Sequence, residues 1–203
     1  MRNFILAGIL FFTISIANFA NAAEIDRVFY LGNPELSYPL IISEKADAAL
    51  KINQVIRAEI QALTDSVNKE IAEGNFESVT INSDYKIPCN HSNGILSIIL
   101  TEYINYEGSA HPSTVQRAFT FNTSTGERIF PSESIYTVAN ITAKLQAYSA
   151  KEGIALYPDF QGLKEIPKDF YFDDNMHAHF IFQQYDVAPY AAGIIDLDAD
   201  AKY

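Results

Sequence analysis

The sequence predicts an α+β fold in a single domain, with a mainly antiparallel sheet packed against one long and one shorter helix. Two observations support this prediction. Apolar residues recur first at steps of three and four and later at steps of two, so a helical period is followed by a strand period. Short turns rich in Gly, Asn and Asp separate the strand-like segments, which is typical of antiparallel neighbours.

The first elements are two strands and a long helix. Residues 25–31 and 38–42 are predicted strands on either side of a turn at 32–34. Ser43 is the predicted N-cap of the helix, and Gly74 ends it. The apolar face of this helix consists of Ala49, Ile52, Ile56, Ile60, Leu63, Val67 and Ile71.

Three strands then form a predicted antiparallel meander. The segments 79–87, 95–106 and 114–121 are joined by a turn at 90–94 and a loop at 107–112. The second segment begins with residues that are apolar on both faces, which indicates a central strand.

The last part of the chain holds the second helix and three short strands. Ser132 or Ser134 is the predicted N-cap of this helix, and Gly153 ends it. Its predicted buried stripe consists of Ile135, Val138, Ile141, Leu145 and Tyr148. The strands are predicted at 170–172, 176–182 and 194–197, with a turn at 173–175.

Residues 1–22 have the pattern of a secretory signal peptide. Arg2 precedes an apolar run at 4–16, and Ala20-Asn21-Ala22 fits the small-x-small cleavage pattern. The run is shorter than the roughly 20 apolar residues of a membrane span, and no second run of spanning length follows. We expect cleavage after Ala22 and a secreted or periplasmic domain at 23–203 without a membrane span. An uncleaved N-terminal anchor is the alternative.

The composition excludes several protein classes. The chain has 203 residues, of which 48% are hydrophobic and 13% aromatic, enough to bury a core and exclude disorder. Cys89 is the single cysteine, which excludes a disulfide-stapled miniprotein. We expect Cys89 to be a buried, inert thiol, and a reactive or intermolecular role is the alternative.

The charge of the chain is strongly acidic. Twenty-five acidic residues compare with 14 basic ones, and removal of Arg2 with the signal leaves a formal charge of −12. Phosphate contacts need a basic surface, so this balance argues against nucleic-acid binding. A basic protein would be steered toward such a chain, with an association rate that falls with salt. Charge alone names no partner.

Histidines are the first candidates for chemistry. His177 and His179 are two apart on a predicted strand and share a face opposite Phe180 and Phe182. They could bind zinc, but no third ligand has diagnostic spacing, so strand histidines without a metal are the simpler interpretation. No phosphate-binding, dinucleotide or nucleophile motif occurs, and no cofactor is expected.

His111 lies in the loop Gly108-Ser109-Ala110-His111-Pro112, and binding residues are often found in such loops. A structural role is the alternative. A hydrolase of envelope glycans or peptides is a second hypothesis, with His111 acting beside nearby carboxylates. Glycoside hydrolysis needs two carboxylates about 5 to 9 Å apart. The candidates are Glu102, Glu107, Asp173 and Asp174, although exposed solvating acids are the simpler interpretation.

Four tyrosines lie near predicted strand ends and loops. Tyrosine is favoured both at recognition surfaces and in the outer layer of cores, so both interpretations stay open. The residues are Tyr103, Tyr106, Tyr185 and Tyr190.

Two stretches resemble the DUF3298 family. The first is Tyr106-Glu107-Gly108-Ser109-Ala110-His111, followed by Phe119-Thr120-Phe121-Asn122 and Thr125-Gly126-Glu127. The second runs from 170 to 193 and contains Tyr185-Asp186-Val187-Ala188-Pro189-Tyr190. Tyr38-Pro39 and the helix that carries Asn53 resemble the DUF4163 domain that often precedes this family. Ser109 and Pro112 replace family glycines, so the loop is stiffer at Pro112.

The resemblance implies a non-enzymatic binding domain. The best understood members are extracellular domains of RsiV-type anti-sigma factors, which recognise lysozyme, and related domains accompany peptidoglycan deacetylases. No sigma-binding segment precedes the signal, so an anti-sigma role is not expected. The expected partner is a basic protein such as lysozyme, or a cell-wall glycan, and a purely structural envelope protein is a further alternative. No catalytic residue or metal ligand is assigned. The candidate contact residues are Tyr106, Gly108, Ser109, His111, Tyr185, Pro189 and Tyr190.

Overall fold

A computed structural model describes residues 22–200 of the chain. The predicted signal peptide therefore lies outside the described residues, apart from Ala22. The helices and strands are β1 Glu24–Phe29, β2 Ser37–Ile42, α1 Ala46–Ala72, β3 Val79–His91, β4 Ile95–Tyr106, β5 Ser113–Asn122, α2 Val138–Glu152, β6 Phe170–Phe172, β7 Ala178–Phe182 and β8 Ile195–Asp198.

The described strands form three antiparallel sheets. β1 pairs with β2, the order β3-β4-β5 forms a central sheet, and the order β6-β7-β8 forms a third sheet. This arrangement confirms the predicted α+β class and the predicted meander with β4 at its centre. No helix in the described part of the chain has the length and apolar character needed to span a membrane.

One face of the central sheet packs against α1. The predicted apolar face of α1 is buried from Ala49 to Val67. Ile71 is 39% exposed, because it lies in the last turn, beyond the end of this core. The sheet contributes alternate residues of its two neighbouring strands β4 and β5, namely Leu96, Ile98, Leu100, Phe119 and Phe121.

The other face of the central sheet packs against the third sheet. Ile99 and Ala118 contact Tyr171 and Ile181 of the third sheet. The residues next to Tyr171 and Ile181 along their strands point to the opposite face of the third sheet, where they contact α2. The chain therefore has four layers, in the order α1, central sheet, third sheet and α2. The second core, between the third sheet and α2, includes Ile141, Leu145, Phe170, Phe180, Phe182 and Leu197.

Cys89 is fully buried in β3, as expected from the sequence. Burial raises the pKa of its thiol, which disfavours the reactive thiolate. The register of β3 shifts between Lys86 and Cys89. Pro88 lies inside this bulge, where its missing N–H costs no ladder hydrogen bond.

Both predicted helix N-caps are wrong. α1 is preceded by Lys45 as N-cap, and Ser43 Oγ instead accepts a hydrogen bond from Lys45 N at 3.2 Å. α2 is capped by Thr137, whose Oγ1 accepts from Asn140 N at 3.2 Å. Ser132 and Ser134 lie in the preceding turns, where their hydroxyls bond to each other at 2.8 Å.

The later start of α2 also changes its buried stripe. Ile135 lies before the helix and is 63% exposed. Gly153 ends the helix as predicted, with a left-handed φ of 69° that glycine adopts readily.

Several strand boundaries differ by a few residues from the predictions. β1 ends at Phe29, because a 3₁₀ turn over Tyr30–Gly32 begins there. β3 continues to His91, so the turn to β4 is shorter than expected. β7 begins at Ala178, since Met176 has a φ of 63° and belongs to the turn.

Candidate functional site

The loop at 107–112 and the segment at 183–190 meet beside the start of β5. The imidazole of His111 stacks on the ring of Tyr190, with centroids 3.8 Å apart and planes at 25°. Its Nε2 lies 2.9 Å from the Tyr185 hydroxyl. We call the surface formed by His111, Tyr185 and Tyr190 the aromatic platform.

The hydrogen bonds of the aromatic platform fix its protonation pattern. Pro112 O lies 3.0 Å from His111 Nδ1, and because a carbonyl only accepts, Nδ1 carries the proton. In the neutral imidazole Nε2 is then the acceptor, and Tyr185 donates to it. Tyr190 Oη donates to the same Pro112 carbonyl at 3.1 Å. Both ring nitrogens of His111 therefore have partners.

Tyr185 is held in a strained backbone conformation that presents its ring to solvent. Its φ is 71°, which is uncommon for a residue with a side chain, and the residue is 53% exposed. The turn around it is closed by Asp186, whose Oδ2 accepts from Gln183 N at 2.7 Å and whose N–H donates to Gln183 O at 3.1 Å. The local structure thus maintains an exposed tyrosine at a conformational cost.

Two glutamines anchor the 183–190 segment to the outer edge of β5. The Gln183 amide accepts from Gln116 N at 2.9 Å and donates to Gln116 O at 2.6 Å, as a neighbouring strand would. Gln184 Oε1 accepts from Thr114 N at 3.4 Å. These side chains satisfy backbone groups of an edge strand that would otherwise be open to pairing with another chain.

The aromatic platform contains three of the seven candidate contact residues. Tyr106 is not part of it, because its ring stacks on Phe76 at 4.1 Å and packs against the α1 core. Gly108 has a φ of 82° in the turn after β4, and Ser109 Oγ donates to His111 O at 3.2 Å. Pro189 precedes the 3₁₀ turn of Tyr190–Ala192, where its carbonyl accepts from Ala192 N at 2.9 Å. The last three residues shape the loops that position the aromatic platform.

Pro112, Gln183 and Gln184 are parts of this site that were not predicted from the sequence. Pro112 acts through its carbonyl oxygen, which every residue has, so no sequence signal could identify it. Gln183 and Gln184 directly follow a predicted strand, and glutamine side chains can bond to the open edge of a strand. Their position was therefore a weak indication of an anchoring role.

None of the four carboxylates proposed for the hydrolase hypothesis is paired with His111. Glu102 is buried on the α1 side of the central sheet, and Glu107 accepts a hydrogen bond from Ser78 Oγ. Asp173 and Asp174 lie in the turn between β6 and β7. Among residues 22–200, no carboxylate forms a hydrogen bond or ion pair with His111.

His179 lies on β7 and faces away from Phe180 and Phe182, as predicted. The prediction that His177 lies on the same strand is wrong, because β7 begins only at Ala178 and His177 belongs to the connection before it. His177 Nδ1 lies 3.1 Å from Asp198 Oδ2, and His179 Nδ1 lies 2.9 Å from Asp196 Oδ1. Burial lowers the pKa of His179, but the hydrogen bond and charge of Asp196 outweigh burial and raise it above its usual value.

Asp196 also accepts a hydrogen bond from Tyr171 Oη at 2.6 Å, and the Tyr171 ring stacks on His179 at 4.6 Å. Each histidine therefore has a carboxylate partner within the sheet. In the described part of the chain, no group of three or more His, Cys, Asp or Glu side chains is placed to hold a metal ion.

Comparisons with known proteins support the resemblance to the DUF3298 family in part. The model of the family described as "Protein of unknown function (DUF3298)" matches residues 127–198. This match contains the second resembling stretch, whereas the stretch that carries His111 lies before it. No curated protein matches the chain. The likeness of the N-terminal half to DUF4163 stays a prediction.

Two crystal structures of this family share the fold. A DUF3298 family protein from Pseudomonas aeruginosa PAO1 superposes with a TM-score of 0.62 at 12% identity, over 89% of this chain and 92% of that one. A member from Bacteroides fragilis superposes with a TM-score of 0.55 at 12% identity, over 88% of this chain and 90% of that one. The likeness therefore covers most of the chain, the N-terminal half included, and at this identity it shows the fold alone.

Proposed function

We propose that this chain is an exported, non-enzymatic binding domain of the cell envelope, and that the aromatic platform is its recognition surface. The observation that carries the proposal is Tyr185, a solvent-exposed tyrosine kept at a φ of 71° by its neighbours. Strained residues concentrate at sites where geometry serves a function, and a rigid tyrosine offers contact area at low entropic cost. Export rests on the predicted signal at 1–22.

The charge around the aromatic platform favours a basic protein as partner. The segments 107–112 and 183–190 contain the carboxylates Glu107 and Asp186 and no lysine or arginine. Tyrosine rings attract cations over their faces, and the chain carries a formal charge of −12 without the signal. A C-type lysozyme has this chemistry, and it is also the partner that the family resemblance implies.

The contacts of His111 do not favour the hydrolase hypothesis. The hydrolase hypothesis needs His111 to act beside a carboxylate, but Nδ1 and Nε2 of His111 bond to Pro112 O and the Tyr185 hydroxyl, and no carboxylate of the described residues pairs with the ring. The same contacts favour binding, because they hold three rings in one fixed arrangement.

The test is calorimetric titration of the mature chain, residues 23–203, with a C-type lysozyme at low and at physiological salt. An unrelated protein of similar pI measures bulk charge attraction. We expect micromolar or tighter binding to lysozyme at physiological salt, together with loss of lysozyme activity.

Two variants locate the contact. Tyr185→Asn removes the ring and keeps a residue that tolerates a left-handed backbone, so it is expected to weaken binding by about 30-fold without unfolding the protein. Phe130→Ala removes an aromatic side chain that is 61% exposed near Arg128, away from the aromatic platform, and is expected to leave affinity unchanged. Equal binding to the control protein, or equal losses in both variants, would contradict the proposal. Cell-wall glycans would then be the next ligands to titrate.

A further inference from the structure

Glu102 is a buried carboxylic acid inside the α1 core. It lies on β4 two residues from both Leu100 and Ile104, so its side chain is on the same face of the sheet as theirs, the face that packs against α1. Only 6% of the residue is exposed. Its Oε1 has no hydrogen-bond partner among the described residues. A buried carboxylate oxygen without a partner is costly, whereas the protonated acid tolerates the same place better.

Charged groups from three other parts of the chain surround Glu102. Arg117 on β5 is its diagonal neighbour on the same sheet face, two positions from Val115, which pairs with Glu102. Arg117 Nε lies 3.3 Å from Glu59 Oε1 on α1, and its Nη1 lies 3.7 Å from Asp169 Oδ2, just before β6. The neighbour on β3 is the uncharged Ser83.

Arg128 is the other cation in this group, and its charge interacts with Glu59 and Asp169. The cluster thus offers two cations to three carboxyl groups. Burial raises the pKa of Glu102, Glu59 and Asp169 raise it further, and Arg117 lowers it, with a result of about 7. The acid is therefore mostly neutral at pH 6 and mostly ionised at pH 8.

Asp169 connects this cluster to the aromatic platform. Its Oδ1 accepts from Ala118 N at 3.0 Å, and its Oδ2 accepts from Gln183 Nε2 at 3.1 Å. Gln183 is the residue that anchors the 183–190 segment to Gln116. A change in the pairing of Asp169 therefore acts directly on the anchor of the segment that carries Tyr185.

We propose that Glu102 is a proton-controlled switch that couples the buried charge cluster to the aromatic platform. When Glu102 is neutral, Arg117 is shared between Glu59 and Asp169, and Asp169 stays in place to hold Gln183. When Glu102 loses its proton, the new charge competes for Arg117, weakens its pair with Asp169 and loosens the Gln183 anchor. The aromatic platform is ordered at mildly acidic pH and less ordered at mildly alkaline pH.

The first measurement is the titration of Glu102 itself, by carbon NMR of its side-chain carboxyl in the unaltered mature chain. The expected midpoint is about 7. Glu59→Gln removes a like charge and is expected to lower that midpoint. A midpoint near 4.5, the ordinary value for glutamate, would overturn the proposal.

The second measurement is amide hydrogen exchange at Gln116 and Ala118, whose N–H groups bond to Gln183 and Asp169. After correction for intrinsic rates, we expect protection at these amides to fall at least about fivefold between pH 6 and pH 8. The isosteric, uncharged Glu102→Gln variant is expected to show no such fall. A parallel fall in both proteins, or no fall in either, would overturn the coupling.

The role of the switch in recognition rests on the proposed function, but both measurements above need no ligand. Lysozyme titrations at pH 6 and pH 8 then compare the unaltered chain with Glu102→Gln. We expect affinity to weaken at pH 8 only in the unaltered chain. Absence of binding at both pH values contradicts the proposed function alone, whereas binding that falls equally in both proteins contradicts the switch.

Discussion

Tyr190 lies flat against His111, and its hydroxyl donates to the carbonyl of the residue that follows His111. One tyrosine thus makes both a ring contact and a hydrogen bond to the loop between β4 and β5. The two contacts can be separated by substitution, because phenylalanine keeps the ring and removes only the hydroxyl.

Tyr190→Phe is expected to lower the free energy of unfolding by about 1 kcal/mol, the usual net contribution of one hydrogen bond. Tyr190→Ala removes the stacking as well and is expected to cost more. Combined with His111→Ala in a double-mutant cycle, it should show a coupling of about 0.5–1.5 kcal/mol between the rings. Urea denaturation measures each value, and strictly additive effects would show that the stacking contributes nothing.

Gly126 is expected to be intolerant of any side chain. Its φ is 73°, and an added Cβ would lie 2.5 Å from Ala48 O and 2.9 Å from Lys51 Cβ on α1. Gly108 has a similar φ of 82° but open space around it, so Gly108→Ala isolates the backbone strain of about 1 kcal/mol. Gly126→Ala must also displace α1, and we expect a total of roughly 3 kcal/mol in urea denaturation. Equal losses in the two variants would show that the contact with α1 is relieved at no cost.

Gln183→Ala is expected to free the 183–190 segment from β5. The variant leaves the N–H and carbonyl of Gln116 without their partners, which costs roughly 2 kcal/mol. Proteolysis at Tyr185 should accelerate, because the released segment can enter a protease. Gln146→Ala on the exposed face of α2 is the control and should change neither quantity. Unchanged proteolysis in Gln183→Ala would show that other contacts hold the segment.

Asp196→Asn is expected to lower the pKa of His179. Burial alone lowers this pKa, and the neighbouring carboxylates raise it, with the hydrogen bond and charge of Asp196 as the largest contribution. Because the pKa of His179 is raised in the folded state, its protonation stabilises the protein, and this stabilisation is complete below a pH of about 6.5, the pKa of an unfolded histidine. The stabilisation is lost as the pH rises through the pKa of the folded state. Nitrogen NMR of the imidazole measures the midpoint directly. The Asp174→Asn variant, in the exposed turn, should leave that midpoint unchanged, and the same shift in both variants would point to a general charge effect.

Local patterns were sufficient for the order and type of the elements. The apolar residues at steps of three and four from Ala49 to Val67 form the buried face of α1. The alternate apolar residues of β3 form the face of that strand that packs against the same core. Caps were harder to predict, because several residues competed for one role. Ser43, Ser132 and Ser134 have the right chemistry, but Thr137 caps α2 and Lys45 precedes α1 without a side-chain bond.

The candidate site was only partly predictable for the same reason. His111, Tyr185 and Tyr190 were selected from motifs, and the structure places them together. Tyr106 came from the same motif, yet its ring turns to Phe76. Successive side chains at the end of β4 point to opposite faces of the sheet, and Tyr106 is on the face that packs against α1. It therefore cannot join the aromatic platform.

The α+β class, the meander, the burial of Cys89 and the acidic charge could all be obtained without a structure, because each depends on composition or on the spacing of near neighbours. Three other features became visible only in the folded chain: Gln183 completes the edge of β5, Tyr190 donates to Pro112 O, and Arg117 pairs with Glu59 and Asp169 beside the buried Glu102. These contacts join residues far apart in the chain. They depend on strand register and on the stacking of four layers, which no local period encodes.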